Sequence, residues 1–240
     1  QWSATQYREL IQSYYASKPA DVSAVMCFGN HDQSRLVTRV GEQEARAIAV
    51  LQCTLPGVPT MYYGEEIGMH DVNIPSNLRK DGFAENAAMG SRDAERTPMQ
   101  WTTGLQAGFT TAESSWLPIA DDYAERNVAT ESKDIHSFLS LYKSLLSMRS
   151  HYEVLRTGTV TFHDAKTDIL HYTVSNGSDA ISILINFSPE RQSVRPPQAA
   201  TILLSSLLDV SEQPTSDNYE LRPSEAVVFL HEREKERYGE

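Results

Sequence analysis

The chain has 240 residues, 40% of them apolar and 22% charged, an ordinary globular composition. Thirty-two acidic residues against 21 basic ones give a formal net charge of −11, which disfavours nucleic acid or an anionic membrane as partner and leaves a neutral ligand such as a sugar compatible. No apolar run approaches the roughly 18 residues of a membrane span.

The chain opens at Gln1 directly on a helical pattern, so a cut through a longer chain is the expectation, and no signal peptide is visible. Tyr7, Leu10, Ile11, Tyr14 and Tyr15 share one helical face, and Ser3 with Gln6 forms a capping-box pattern, predicting a helix over about 4–17. Ser23 to Gly29 is a short apolar run that reads as a strand buried on both faces. A second helix is predicted over about 42–55, stopped by Pro56-Gly57, and Val58 to Tyr63 reads as another buried strand. The first 65 residues thus have the rhythm of a β/α layer fold. Cys27 and Cys53 lie in apolar stretches and read as buried free thiols.

Residues 64–132 are long, polar and aromatic, and periodicity does not organise them; loops of that length are usually functional. An amphipathic helix returns over about 134–150 through Ile135, Phe138, Leu139, Tyr142, Leu145 and Leu146. After Gly158 the period changes to two. Strands are expected near 159–163, 168–174, 181–187, 200–207, 219–222 and 225–231, with Asn176-Gly177 as a hairpin turn. The charged run Arg233–Glu240 reads as solvated tail.

The sharpest motif is Phe28-Gly-Asn-His-Asp32, at the C-terminal end of the first apolar strand, where β/α barrels place active-site residues. FGNHDQSR resembles the fourth signature of glycoside hydrolase family 13, the α-amylase family. LPGVPTMYYGEEIGM resembles that family's last barrel strand and the loop after it, and SRDAERTPMQW resembles a segment of its α-glucosidase and oligo-1,6-glucosidase branch. The three matches occur in the expected order.

This resemblance implies an α/β plus all-β chain: the C-terminal portion of a (β/α)8 TIM barrel over residues 1–155, with the long loop 64–132, followed by an antiparallel β-sandwich domain over 156–240. It implies retaining chemistry, which needs a nucleophile and an acid/base carboxylate placed close together. By resemblance Asp32 is a third carboxylate, stabilising the transition state and binding sugar hydroxyls, and His31 donates a hydrogen bond to the same sugar. Arg96 is implied to reach the non-reducing end of the terminal sugar, and Arg35 is the candidate for framing the leaving-sugar side. Asn30 is expected to shape the strand end.

No GxRxD-like nucleophile motif occurs in the chain, and no acid/base Glu strand precedes residue 30. Glu65 and Glu66 cannot replace that pair if they lie on a strand, where neighbours point to opposite faces. Tyr63 and Trp101 could stack on a sugar, but packing is the favoured role; whether Phe83, Asn86 and Met89 border the pocket is open in the sequence. Asp71-Val-Asn73 lacks the carboxylate spacing of a calcium loop, so no metal is expected, and no cofactor.

The expected function is that of a C-terminal part of an α-glucosidase-like hydrolase acting on short α-glucosides, inactive alone. The rivals are a trehalose synthase-like or transglycosylating member and a non-catalytic carbohydrate-binding fragment. The expected partners are an oligosaccharide substrate and the N-terminal half of the same enzyme. Without that half, self-association is expected, because two barrel strands leave edges and apolar faces uncovered. The compartment is not legible in the sequence, and the cytoplasm is only the expectation.

Overall fold

Ser3 begins the first helix, α1 (Ala4–Ser17), as a capping box: its Oγ accepts from Gln6 N at 3.3 Å, and Gln6 Oε1 accepts from Ser3 N at 2.9 Å. In this computed structural model the described residues are 3–82, 91–164, 168–197, 199–211, 213–215 and 218–232. Two compact units divide the chain: residues 1–26, 46–59 and 145–240 form one, and 27–45 and 60–144 the other. The predicted tail Arg233–Glu240 lies outside the described residues.

In the first unit, Tyr7 and Ile11 of α1 are buried, whereas Leu10 and Tyr14 of the predicted apolar face are exposed. Tyr7 stacks on Phe187 with ring centroids 4.6 Å apart. Strands β1 (Val25–Cys27) and β2 (Val58–Thr60) pair as a two-stranded sheet. The expectation that both are buried on both faces is corrected: Met26 is buried, but Val25 is 50% and Val58 51% exposed. Strand side chains stand out of the sheet plane, and those of Val25 and Val58 meet little cover there; among the described residues no third strand flanks the pair either. From Arg46 onward, helix α3 (Glu42–Thr54) is buried, Ala47 to Leu51 and Cys53 as its apolar part and Arg46, Gln52 and Thr54 as its polar one.

One polar staple of this unit is Arg149, near the end of α5 (Phe138–His151). Its buried guanidinium donates to the carbonyls of Cys53, Leu55 and Leu155 at 2.9, 3.0 and 2.7 Å, and also to that of Gly57. Gly57, at φ +120°, takes a conformation that other residues rarely adopt.

The antiparallel region follows the period-two reading. Its strands are β3 (Thr159–His163), β4 (Ile169–Ser175), β5 (Ala180–Asn186), β6 (Gln192–Val194), β7 (Ala200–Ser205), β8 (Gln213–Pro214), β9 (Tyr219–Leu221) and β10 (Ala226–His231). Among the described residues, six of them form one sheet in the order β3-β4-β5-β10-β7-β8, every pairing antiparallel. Asn176 folds the β4–β5 turn, its Oδ1 accepting from Asp179 N at 2.9 Å, and Gly177 stands at φ +87°. One sheet face contributes Ile169, Leu184, Val227 and Phe229 to a core cluster that Leu221, Val194 and Tyr219 of the separate β6–β9 pair complete.

The second unit contains α2 (Leu36–Val40), α4 (Val128–Glu131) and a series of 3₁₀ turns, packed around Ile67, Met69, Met99 and Leu139. Side chains bonded to backbone shape its irregular path. Buried Asp93 accepts from Lys80 N at 2.7 Å, Asp81 N at 3.1 Å and Ser91 Oγ at 2.8 Å. Buried Asn127 caps α4, accepting from Thr130 N at 2.9 Å. Ile135, expected on the apolar face of the third long helix, is 73% exposed because α5 starts only at Phe138.

Candidate active site

After β1 the chain turns on Asn30, whose Oδ1 accepts from Asp32 N at 2.8 Å, the local bond that Asn is suited to make. The turn leaves the His31 and Asp32 side chains open, 64% and 52% exposed, with His31 Nε2 3.4 Å from Asp32 Oδ2. Two guanidinium groups converge on the other carboxylate oxygen. Arg92 Nη1 donates to Asp32 Oδ1 at 2.6 Å and Arg96 Nη2 at 3.2 Å. Arg96 also donates through Nε to the His31 carbonyl at 2.9 Å, so it grips both backbone and carboxylate of the motif. The hydrogen bond from Arg92, with the nearby His31 and Arg96, holds the Asp32 carboxyl below its ordinary range.

Arg92 is itself anchored. Its Nε and Nη2 donate to the two oxygens of Asp81 at 2.9 and 3.0 Å, and its backbone N donates to Asp81 Oδ2 at 2.9 Å. Sequence reasoning chose Arg96 from the SRDAERT segment and passed over Arg92. Nothing in the segment singles out Arg92: it lies in a bend before the three-residue 3₁₀ turn Ala94–Arg96, and only the fold brings both arginines to one carboxylate.

Arg35 lies apart from this cluster in its contacts. It is 3% exposed, donates from Nη1 to the Tyr63 carbonyl at 2.7 Å, and sits 4.9 Å from the centre of the Tyr63 ring and 5.4 Å from that of Tyr62. Its backbone N donates to Asp71 Oδ1 at 2.7 Å, and Ser34 Oγ donates to Asp71 Oδ2.

Glu65 and Glu66 occupy a 3₁₀ turn (Glu65–Ile67) rather than a strand, which corrects the reason given for their separation. Glu66 accepts from Gly64 N at 2.6 Å. Glu65 is buried, and that burial pushes its carboxyl up to about 7. Tyr63 donates its hydroxyl to the Thr97 carbonyl at 2.7 Å, whereas Trp101, expected to pack, is 47% exposed. Cys27 is exposed rather than buried, since β1 has a bare side; Cys53 is buried as expected. Phe83, Asn86 and Met89 lie outside the described residues. Among the described residues no group of three or more His, Cys, Asp or Glu is placed to hold a metal ion. Nor is any helix long and apolar enough to cross a membrane.

Known proteins resemble both sequence and structure. An α-glucosidase of Apis mellifera is 34% identical over 199 residues, covering 80% of this chain and 35% of that protein. An oligo-1,6-glucosidase of Parageobacillus thermoglucosidasius is 32% identical over 231 residues, covering 83% of this chain and 41% of that one. The crystal structure of a trehalulose synthase from Pseudomonas mesoacidophila superposes with a TM-score of 0.80 at 27% identity, over 96% of this chain and 47% of that one. The chain therefore spans less than half the length of each of these proteins. The model of the α-amylase catalytic domain matches residues 1–158, and on that match, with these relatives, the chain belongs to the α-amylase family.

Proposed function

We propose that this chain is the C-terminal part of a retaining α-glucosidase-like glycoside hydrolase that acts on short α-glucosides. The observation that carries the reading is the open carboxylate of Asp32, gripped by Arg92 and Arg96 at the end of the loop after β1. A fixed negative charge at that place favours the oxocarbenium-like transition state of glycoside cleavage. His31, beside it, serves as donor to the same sugar. Arg96 turns from Asp32 to the hydroxyls of the terminal glucose, and Arg35 supports the leaving-sugar side through the Tyr62–Tyr63 segment. The nucleophile and the acid/base are assigned to an N-terminal part of the parent protein, so this chain alone is inactive.

The architecture proposed with it is the last part of a (β/α)8 barrel over residues 1–155 and a β-sandwich over 156–240. The family match over residues 1–158 and the half-exposed Val25 and Val58 on two paired strands support it. In such a barrel the loops at strand C-termini line the active site, which is where Asp32 stands.

The test is turnover of para-nitrophenyl α-glucoside by the full-length protein and its Asp32→Asn variant. The expected outcome is a fall in kcat of roughly 10²–10³-fold with an unchanged circular dichroism spectrum. Near-normal turnover would remove Asp32 from the chemistry. The likeness to a trehalulose synthase favours a second reading, in which a sugar rather than water resolves the intermediate. Chromatography of the products separates the two, since only transfer or isomerisation yields a new disaccharide.

A further inference from the structure

We infer that Glu65 is a positioning residue for Asp32: its carboxyl group occupies the space a side chain at position 29 would take, braces the Gly29–Asp32 segment, and loosens that brace when it loses its proton. The inference rests on the catalytic reading of Asp32 given above.

The geometry is reciprocal. A Cβ built on Gly29 would lie 3.2 Å from Glu65 Cδ and far inside van der Waals contact of Oε1. Gly29 is therefore a glycine because a carboxyl group stands in its place, and not for its backbone angles. Three residues later the chain reaches Asp32, through the turn that Asn30 closes. From the other direction, Arg35 donates to the Tyr63 carbonyl, and a Cβ on Gly64 would stand 2.6 Å from Arg35 Nη1. Each of the two loops thus inserts one ionisable side chain against a glycine of the other, Gly64 being held also by its φ of +87° and by Met69.

The proton enters through the partners. Glu65 Oε2 accepts from Tyr62 N at 3.2 Å, while Oε1 is buried and makes no hydrogen bond. Arg35 Nε and Nη2 are likewise buried and unbonded, and both residues line one small cavity with Gly29, Tyr62 and Tyr142. The charged groups acting on Glu65 are Glu66, which opposes its ionisation, and Arg39 and Arg35, which favour it; burial outweighs them and pushes the carboxyl up to about 7. The neutral acid can rest against Gly29. An ionised Oε1 is drawn to the unbonded Arg35 donors in the same cavity, away from Gly29.

The test uses the full-length protein with Gly29→Ala, Glu65→Ala, the double variant and Glu65→Gln. Gly29→Ala is expected to lower kcat by roughly ten- to a hundredfold with KM changed far less, because a displaced catalytic group costs rate more than binding. In the Glu65→Ala background the same change should cost little more. Wild type should lose kcat as pH rises through about 7, and Glu65→Gln should move that limb to the pH set by the acid/base carboxyl alone while recovering most of the turnover lost in Glu65→Ala. An equal cost of Gly29→Ala in both backgrounds, or a limb unmoved in Glu65→Gln, overturns the inference. Thermal midpoints give a reading that needs no turnover. The raised carboxyl makes wild type less stable than Glu65→Gln at pH 8, and the gap narrows toward pH 5. A gap independent of pH also overturns the inference, whereas failure of the Asp32→Asn test alone overturns only the catalytic reading.

Discussion

Arg92 and Arg96 both bond Asp32 Oδ1 but are held differently, so their removal should have different consequences. Arg92 supplies the largest effect holding the Asp32 carboxyl low and is tethered to Asp81. Its replacement by Ala should raise the Asp32 pKa toward the ordinary carboxylate range. A carboxylate needed in ionised form is then lost at higher pH, so the acid limb of kcat should move upward. Arg96→Ala leaves the tether intact and frees the His31 carbonyl, so it should chiefly raise KM for short maltooligosaccharides. Identical pH profiles for Arg92→Ala and wild type would refute the division. Asp32 and His31 stood out in the sequence as a polar motif after the first strand and Arg96 through the resemblance of its segment, and the structure brings the three side by side. The roles of Arg92 and Glu65 were not legible there, since one depends on a contact 60 residues away and the other on the emptiness of a glycine. The inward course of Arg35 was equally hidden: nothing in its neighbours in sequence announces the Tyr63 carbonyl that receives it.

Elements were readable where their hydrophobic period ran long enough. Helix α1 and strands β3, β4, β5 and β10 fall within a residue or two of their predicted bounds. β6 and β8, three and two residues long, are too short to show a period, as is the five-residue α2. Residues 64–132 stayed unreadable because, where they are described, bonds from Asp93 and Asp71 to backbone far along the chain and local bonds from Asn127, not periodicity, shape their path. One feature crosses four strands of the large sheet: His163 Nε2, Thr173 Oγ1, Ser182 Oγ and His231 Nε2 are linked in series at 2.8, 2.7 and 2.8 Å. His171 lies beside His163, ring centroids 4.4 Å apart, and burial pushes it down to about 4. A histidine with a lowered folded pKa gains its proton preferentially on unfolding. Stability is therefore full above about pH 6.5 and falls as pH drops toward about 4. After allowance for partial exposure the loss is on the order of 1–2 kcal/mol. Thermal melts at pH 7 and 4.5 should show it, and His171→Gln should flatten the difference; an equal drop in that variant would assign the effect elsewhere.

At the scale of the whole molecule, the two-stranded β1–β2 sheet carries the consequence of the proposed architecture. A strand pair with half-exposed valines and, among the described residues, no flanking strand is a template for association. If an N-terminal part of the parent protein completes a barrel there, it must cover Cys27, which is exposed in this chain at the end of β1. Cys53, 0% exposed within α3, is the internal reference. The 240-residue chain alone should label rapidly with a thiol reagent at one site and sediment as more than a monomer. The full-length protein should protect both thiols until it unfolds. Separately expressed N-terminal and C-terminal parts should, when mixed, regain protection of Cys27 together with turnover of para-nitrophenyl α-glucoside. Cys27 labelling at the same rate in the chain alone and in the full-length protein would mean that nothing docks on β1, and the barrel assignment would fall with it.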